Sequence, residues 1–303
     1  MYAVIDMGSN TVRLSIFRLE DDDIKPVFHK KSVAGLAEYV NDEGNLSDKG
    51  IMKAVSVLEE FEKVLSGIDV TKVYAFATAS LRNINNTEEA LRRIRKASGI
   101  DLRVLSGEEE AVYGYVGATR GMPAERGVLA DIGGGSTELV FYRDGAIQQA
   151  LSMPVGSLNM YAKYVKALVP TGRELRIISR AVREKLDRID RAAAEYELIC
   201  GVGGTIRAAC KLNNEIFGAP PSNRALKVEN IGKIIETVRS NDKKSLTHIL
   251  KVAPERIHTV IPGMAILQTI AGYFRCKTVN VSSYGVREGY LYQNLLSEGV
   301  IHE

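Results

Sequence analysis

The sequence predicts an α/β protein made of two duplicated halves. Strand-like and helix-like segments alternate along the chain. Its 303 residues are generous for one core and comfortable for two. A strand–Asp–Gly turn–strand unit occurs twice, with Asp6 aligned on Asp131, 125 positions later, and a period that long signals duplicated domains rather than a solenoid.

In chain order, strands are expected at 2–7 and 12–19 around a Gly8-Ser9-Asn10 turn, with a third at 24–33. Ile51, Val55, Leu58 and Val64 share one face of a helix over 47–65. A buried strand at 73–77, a helix over 86–97, a short strand at 102–105 and a helix over 107–120 complete the first half. Gly121-Met122-Pro123 breaks that last helix, and the boundary is placed at 124/125. The second half restarts with strands at 127–131, 136–142 and 146–152. Helices follow at 156–168 and 173–193, then a strand at 198–202 and a helix over 205–213. The rest reads as helical, with a strand at 278–281 and a last helix at 286–297 that is able to pack back on the first half.

Composition narrows the function. Hydrophobic residues make up 45% and charged residues 25%, a folded rather than a disordered balance. No run approaches the ~20 apolar residues of a membrane span, and Met1–Asp6 has no basic leader region, so a cytoplasmic protein without a membrane partner is expected. Three cysteines form no Cys-x-x-Cys pair, and four histidines lack zinc-ligand spacing. Zinc, Ser-His and Cys-His hydrolysis are therefore disfavoured. A net charge of +3 does not announce a nucleic acid, but leaves room for a local anion site. A homodimer remains open.

Each copy of the repeat suits phosphate. Small residues let backbone N–H groups converge on an anion, and the Asp at the strand end is able to hold a divalent cation. The loops are Gly8-Ser9-Asn10-Thr11 and Gly133-Gly134-Gly135-Ser136, expected to face each other across a cleft. The copies differ where Arg13 aligns with Glu138. A guanidinium there clamps phosphoryl oxygens, while a carboxylate binds metal or positions water.

Three further motifs accompany the repeat. Ser106 and Glu109 form a capping box, which accounts for Glu109, while Glu108 suits the helix dipole. Glu110 lies one step beyond, on the face of Gly114 and Gly117, where another element could approach. Gly204 and Thr205 start a helix after a strand, a natural phosphate site but not a Walker loop. Arg82 follows a strand end and is placed either in a cleft or in a surface ion pair. Arg173, Arg176, Arg180 and Arg183 form a basic helix face, tempered by Glu174, Glu184, Asp187 and Asp190. That face reads either as solvated or as a polyanion track.

Asp6–Thr11, Ser106–Ala111, Asp131–Glu138 and Arg287-Glu288-Gly289, in this order across the chain, resemble the exopolyphosphatase/guanosine pentaphosphate phosphatase family. The resemblance implies two actin-like (ribonuclease H-like, ASKHA) domains around an interdomain cleft. It implies Glu110 as catalytic base, a magnesium site at Asp131 and Glu138, and Arg82 at the cleft. On the chemistry of the residues themselves, Arg13 and Arg82 are expected to stabilise charge and Asp6 to reach the metal through water. The glycine loops and Gly204-Thr205 become phosphate contacts, and the activity becomes release of terminal orthophosphate from polyphosphate or guanosine pentaphosphate. The chain resembles the short members, and Ser283-Tyr284-Gly285 stands where some relatives have Asp-Gly-Ala. Rival readings are an ATP-dependent kinase or ATPase of the same superfamily, and a non-catalytic polyphosphate or alarmone sensor.

Overall fold

The computed structural model describes residues 1–120, 125–189, 196–239 and 243–302. The Gly121-Met122-Pro123 breaker, Asp190 and the end of the helix expected over 173–193 lie outside them. Contacts divide the chain into two compact units, Met1–Gly117 with Val286–Glu303, and Ala118–Gly285. The division thus falls inside a helix, ahead of position 124/125.

In the first unit, β1 (Tyr2–Met7), β2 (Thr11–Glu20) and β3 (Asp23–Val33) form an antiparallel meander. α1 (Asp48–Leu65) follows, N-capped by the Ser47 side chain, and buries Ile51, Ala54, Val55, Leu58 and Phe61 at helical spacing. β4 (Lys72–Ala77) runs parallel to β1, and α2 (Ala79–Arg82), α3 (Thr87–Ser98), β5 (Arg103–Val104) and α4 (Gly107–Thr119) come next. The sheet order is β3-β2-β1-β4-β5.

The second unit repeats the plan. β6 (Arg126–Ile132), β7 (Thr137–Arg143) and β8 (Ala146–Met153) make the meander. After α5 (Ser157–Tyr164) and α6 (Gly172–Leu186), β9 (Leu198–Val202) runs parallel to β6 and leads into α7 (Gly203–Phe217). β10 (Ala225–Lys227), α8 (Val228–Arg239), α9 (Lys243–Val252), α10 (Val260–Tyr273) and β11 (Thr278–Val281) complete it. The order β8-β7-β6-β9-β11 matches the first sheet, with β10 added at the edge. Both meanders carry a bulge at equivalent places, Ile16/Phe17 and Phe141/Tyr142. The duplication therefore extends to a local irregularity.

Three elements differ from expectation. α6 ends at Leu186, where the Asp187 amide closes the helix on Arg183 O and Lys185 O. α5 ends at Tyr164 because Val165 is already extended (φ −109°, ψ 126°). β10 is three residues long, too short to show an alternating pattern.

α11 (Val286–Ser297) returns to the first unit. Its Tyr290, Leu291 and Leu295 join a core with Val4, Phe17, Tyr74 and Phe76. Gly289 lies against α4, so close that a Cβ would overlap the Tyr113 carbonyl oxygen and crowd the Gly117 amide. Gly117, one of the two small residues on the Glu110 face, is thus where another element does approach. At the far end, Glu298 accepts hydrogen bonds from Lys72 Nζ (2.7 Å) and Tyr74 Oη (2.9 Å). Gly289→Ala forces two backbones apart and is expected to cost roughly 3 kcal/mol, at the upper end of overpacking penalties. The urea midpoint of the variant measures this, and an unchanged midpoint would refute the close crossing.

Candidate functional site

Both hairpin turns are closed by the same bond, Gly8 N–H to Thr11 O (3.1 Å) and Gly133 N–H to Ser136 O (2.9 Å). The turn carbonyls are then engaged by the chain that follows the third strand. Ser9 O accepts from Ala37 N–H (3.1 Å), and Asn10 O from the amides of Ala34 and Gly35 (3.0 Å each). In the second unit Gly133 O accepts from Ser157 N–H (2.9 Å), and Gly134 O from Leu158 N–H (2.9 Å) and Asn159 N–H (3.1 Å). Gly135 O accepts from Asn159 Nδ2 (2.8 Å). No described peptide bond is cis. A planar trans peptide sends its C=O and N–H in opposite directions. The amides of Asn10, Gly134 and Gly135 therefore face away from these helix starts, on the side where an anion can be gripped.

The first unit gathers its charged groups at the carboxyl ends of parallel strands, where α/β sheets collect ligands. Asp6 and Arg13 are register partners on β1 and β2, with 3.7 Å between guanidinium and carboxylate. From α11, Arg287 donates to Ser15 Oγ (2.5 Å), which also contacts His29 Nδ1 (3.1 Å), and the adjoining Glu288 is buried. Burial pushes the Asp6 carboxyl above its ordinary value. Arg13 and Arg287 oppose that rise, and Glu288 adds to it.

Arg82 and Glu110 meet. Arg82 Nη1 donates to Glu110 Oε2 (2.7 Å) and to Leu105 O (3.1 Å), and both side chains are largely buried. The ion pair joins α2, after β4, to α4, after β5. The neighbouring Glu109 has a different job. Its carboxylate accepts from Ser106 N–H (2.8 Å), and its own N–H donates to Ser106 Oγ (3.0 Å). The capping box is therefore formed, and the Ser106 amide, ahead of Arg103, holds the Glu109 carboxyl below the usual range.

In the second unit Asp131 and Glu138 are register partners on β6 and β7. They occupy one face at a Cβ separation of about 5 Å, where like charges repel. Glu138 is 2% exposed, and its Oε1 accepts from Ser152 Oγ (2.7 Å). The Asp131 carboxylate lies against Gly203, the first residue of α7 (φ 83°), where any Cβ would overlap Oδ1. The adjoining Thr205 is buried, with Arg256 Nη1 3.4 Å from its Oγ1. Among the described residues no group of three or more His, Cys, Asp or Glu side chains assembles for a metal. Two facing carboxylates nonetheless form an oxygen donor set suited to a hard divalent cation, whose charge offsets their repulsion. In the first unit Arg13 stands at the matching position.

The structure thus brings together Asp6 with Arg13, Arg82 with Glu110, and Asp131 with Glu138, Gly203 and its helix. Ser15, Ser152 and Arg256 carried no motif that singles them out in the sequence. Ser152 was reachable from the β7–β8 register, in which it faces Glu138; Ser15 and Arg256 had no local signal. The three cysteines are buried and free, and burial lifts the Cys200 and Cys276 thiols to about 12, which makes them unreactive.

The profile of the Ppx/GppA phosphatase family matches residues 15–298. Exopolyphosphatase 1 of Mycobacterium leprae is 26% identical over 97% of this chain and 89% of its own length. The crystal structure of the Aquifex aeolicus Ppx/GppA family member superposes with a TM-score of 0.81 at 27% identity, covering 100% of this chain and 99% of that one. An exopolyphosphatase structure from Cytophaga hutchinsonii, at 21% identity, shares the fold with a TM-score of 0.87 over 99% of this chain and 98% of its own.

Asp6 supplies a pH-dependent expectation. Its carboxyl titrates above the ordinary 3.8 in the folded protein, so the folded state binds that proton more tightly than the unfolded state. The cost of ionising Asp6 is absent below pH 3.8 and develops as pH rises through the higher folded value. Asp6→Asn is therefore expected to melt higher than the parent at about pH 7, with the gap closing towards about pH 3.5. Melting temperatures across this range check it, and a variant that melts lower than the parent at neutral pH would reverse the sign.

Proposed function

The chain belongs to the Ppx/GppA phosphatase family, and from that premise we propose that it releases terminal orthophosphate from inorganic polyphosphate or guanosine pentaphosphate by metal-assisted in-line attack of water. The observation that carries this reading is the division of labour within Glu108-Glu109-Glu110. Glu109 is occupied by the helix cap, whereas Glu110 is turned inward and held by Arg82. A carboxylate oriented by an arginine, both lying just beyond the carboxyl ends of the parallel strands β4 and β5, suits a general base that takes a proton from water.

The remaining groups have roles that follow from their chemistry. Arg13 stabilises charge on phosphoryl oxygens, as does Arg82 beyond its bond to Glu110. The amides of Asn10, Gly134 and Gly135 bind anionic oxygens, Ser9, Thr11 and Ser136 flank them, and Gly204-Thr205 offers a helix start. Asp131 and Glu138 would hold magnesium. Bound there, a divalent cation neutralises charge on the transferring group. Phosphoryl transfer needs mainly such positioning and electrostatics.

The three glutamate-to-glutamine variants test the base. Glu109→Gln keeps an acceptor for the Ser106 amide and is expected to lower stability by no more than about 1 kcal/mol, with turnover largely retained. Glu108→Gln loses only a dipole contact of roughly 0.3–1 kcal/mol. Glu110→Gln keeps the shape and an acceptor for Arg82, and turnover is expected to fall by about 10² or more while substrate affinity holds. Loss of turnover in Glu109→Gln with retention in Glu110→Gln would reassign the base. Parallel phosphate-release assays on polyphosphate and guanosine pentaphosphate identify the preferred substrate.

Asp131→Asn and Glu138→Gln test the metal. Each removes one of the two carboxylate donors while keeping its shape. The stabilisation that magnesium confers on the parent should disappear. Undiminished magnesium stabilisation in both variants would place the cation elsewhere.

A further inference from the structure

We propose that the outer face of α6 is a secondary binding surface for the polyphosphate chain itself, engaging phosphoryl units remote from the one being released. This inference rests on the polyphosphatase reading above. Arg173, Arg176, Arg180 and Arg183 are all exposed. Their spacing of three or four residues lines them up on one side of the helix. About ten residues of helix carry them over about 15 Å. The opposite face is fixed by Ile178, Val182 and Leu186, which are buried in the core of the second unit.

The stripe lacks neutralisation from within the described residues. None of its four arginines makes an ion pair there; Arg183 only covers the ring of Tyr273 (5.8 Å). Arg93, by contrast, pairs with Asp48 and Glu89, and Arg18 with Glu20. Glu174, the nearest acid, is withdrawn into the cap of α6. It accepts from Thr171 N–H (2.7 Å), Thr171 Oγ1 (2.9 Å) and Lys166 N–H (3.1 Å). Glu184 and Asp187 stand one turn beyond Arg180 and Arg183 and temper only the carboxyl end of the stripe, where Lys185 and Arg188 also lie, so its amino-terminal part, Arg173 and Arg176, is the more strongly basic.

A further guanidinium converges on the amino end. Where a Cβ would stand on Gly172, Arg239 Nη1 is 3.1 Å away and Arg176 Nη1 3.7 Å. Arg239 Nη2 is held by Glu236 (2.6 Å), and its Nε is buried with no hydrogen-bond partner among the described residues. Two guanidinium groups from separate helices thus meet at one helix start, whose own free amides add to the positive potential, with Glu236 balancing only the Arg239 side. Polyphosphate supplies the matching form, a linear array of one negative charge after another. α5, whose amino end grips the Gly133–Gly135 loop, packs directly on α6. The surface is thus built onto the support of a phosphate loop. Engagement of the stripe by units beyond the one being released makes affinity grow with chain length, as for any two-point attachment.

The test compares Arg176→Gln/Arg180→Gln with the parent, using long-chain polyphosphate and tripolyphosphate as probes, with a chelator present so that binding is read without turnover. The double variant is expected to bind the long chain roughly tenfold to thirtyfold more weakly at low salt. Its salt dependence should be shallower by about one to two charges. Tripolyphosphate affinity, tripolyphosphate turnover and melting temperature should be unchanged. Equal losses for both lengths, or none for either, would overturn the proposal. So would a single-stranded oligonucleotide that binds more tightly than polyphosphate and suffers the same loss, because the face would then serve nucleic acid. If length-dependent binding is lost as expected but the parent hydrolyses neither probe, the surface stands and the hydrolase reading fails. If the parent hydrolyses both probes and the double variant shows no length effect, the hydrolase reading stands and the surface fails.

Discussion

A planar trans peptide cannot turn its carbonyl and its amide to the same side, and both halves of the molecule are organised around that constraint. For a glycine turn to present N–H groups to an anion, its carbonyls must be satisfied behind it. The chain arranges this by starting a helix immediately after the third strand of each meander, so that the unpaired first amides of that helix meet the carbonyls of the turn. A short 3-10 turn at Leu36–Tyr39 serves the first unit, and α5 serves the second. Asn159 is doubly committed there. Its Oδ1 accepts from Gly156 N–H and its Nδ2 donates to Gly135 O. One side chain thereby joins the helix cap to the back of the loop.

At one register pair the two meanders differ in charge. In the first, Asp6 faces a cation; in the second, Asp131 faces Glu138. Arg13 and Arg287 do not fully compensate the burial of Asp6, whose carboxyl still titrates high. Glu138 has a hydroxyl partner in Ser152, and Asp131 sits at a helix start that forbids a side chain on its first residue. Both arrangements keep carboxylates where an apolar pair would stabilise the sheet more. Retaining such groups in a sheet that is otherwise regular is the pattern of a site in which function has overridden packing.

Legibility followed range. The repeat, both meanders, the Ser106–Glu109 box and the helix over 48–65 are local, and each could be taken from spacing alone. So could the hint that Gly117 admits another element, although nothing nearby in the chain said that Gly289 would be that element. Arg82 and Glu110 could each be picked out, but their ion pair spans 28 positions and depends on β4 lying beside β5. The capping box narrowed the choice among three glutamates only because helix geometry assigns Glu109 to Ser106. The Arg287-Glu288-Gly289 motif by itself gives Arg287 no role, because its hydrogen bond to Ser15 crosses 272 positions. Ser15 itself is an interior strand residue with no pattern of its own. β10 and the early end of α5 were set by tertiary pairing and by one extended valine, which periodicity does not register.

The assignment of α11 to the first unit changes what the second unit is. Residues Ala118–Gly285 are inserted into the first unit between α4 and α11, so the chain leaves after Gly117 and returns at Val286. Gly289 packs against the Gly117 amide, which holds the departing and returning segments of the first unit together by direct backbone contact. Arg287 lies one residue beyond the point of return, yet reaches Ser15 and bears on the charge of Asp6. The electrostatics of the first strand's carboxylate are therefore tied to the place where the chain re-enters the unit. A Gly at 289 is what permits it, since a bulkier residue would move α11 off α4 and carry the Arg287 guanidinium with it.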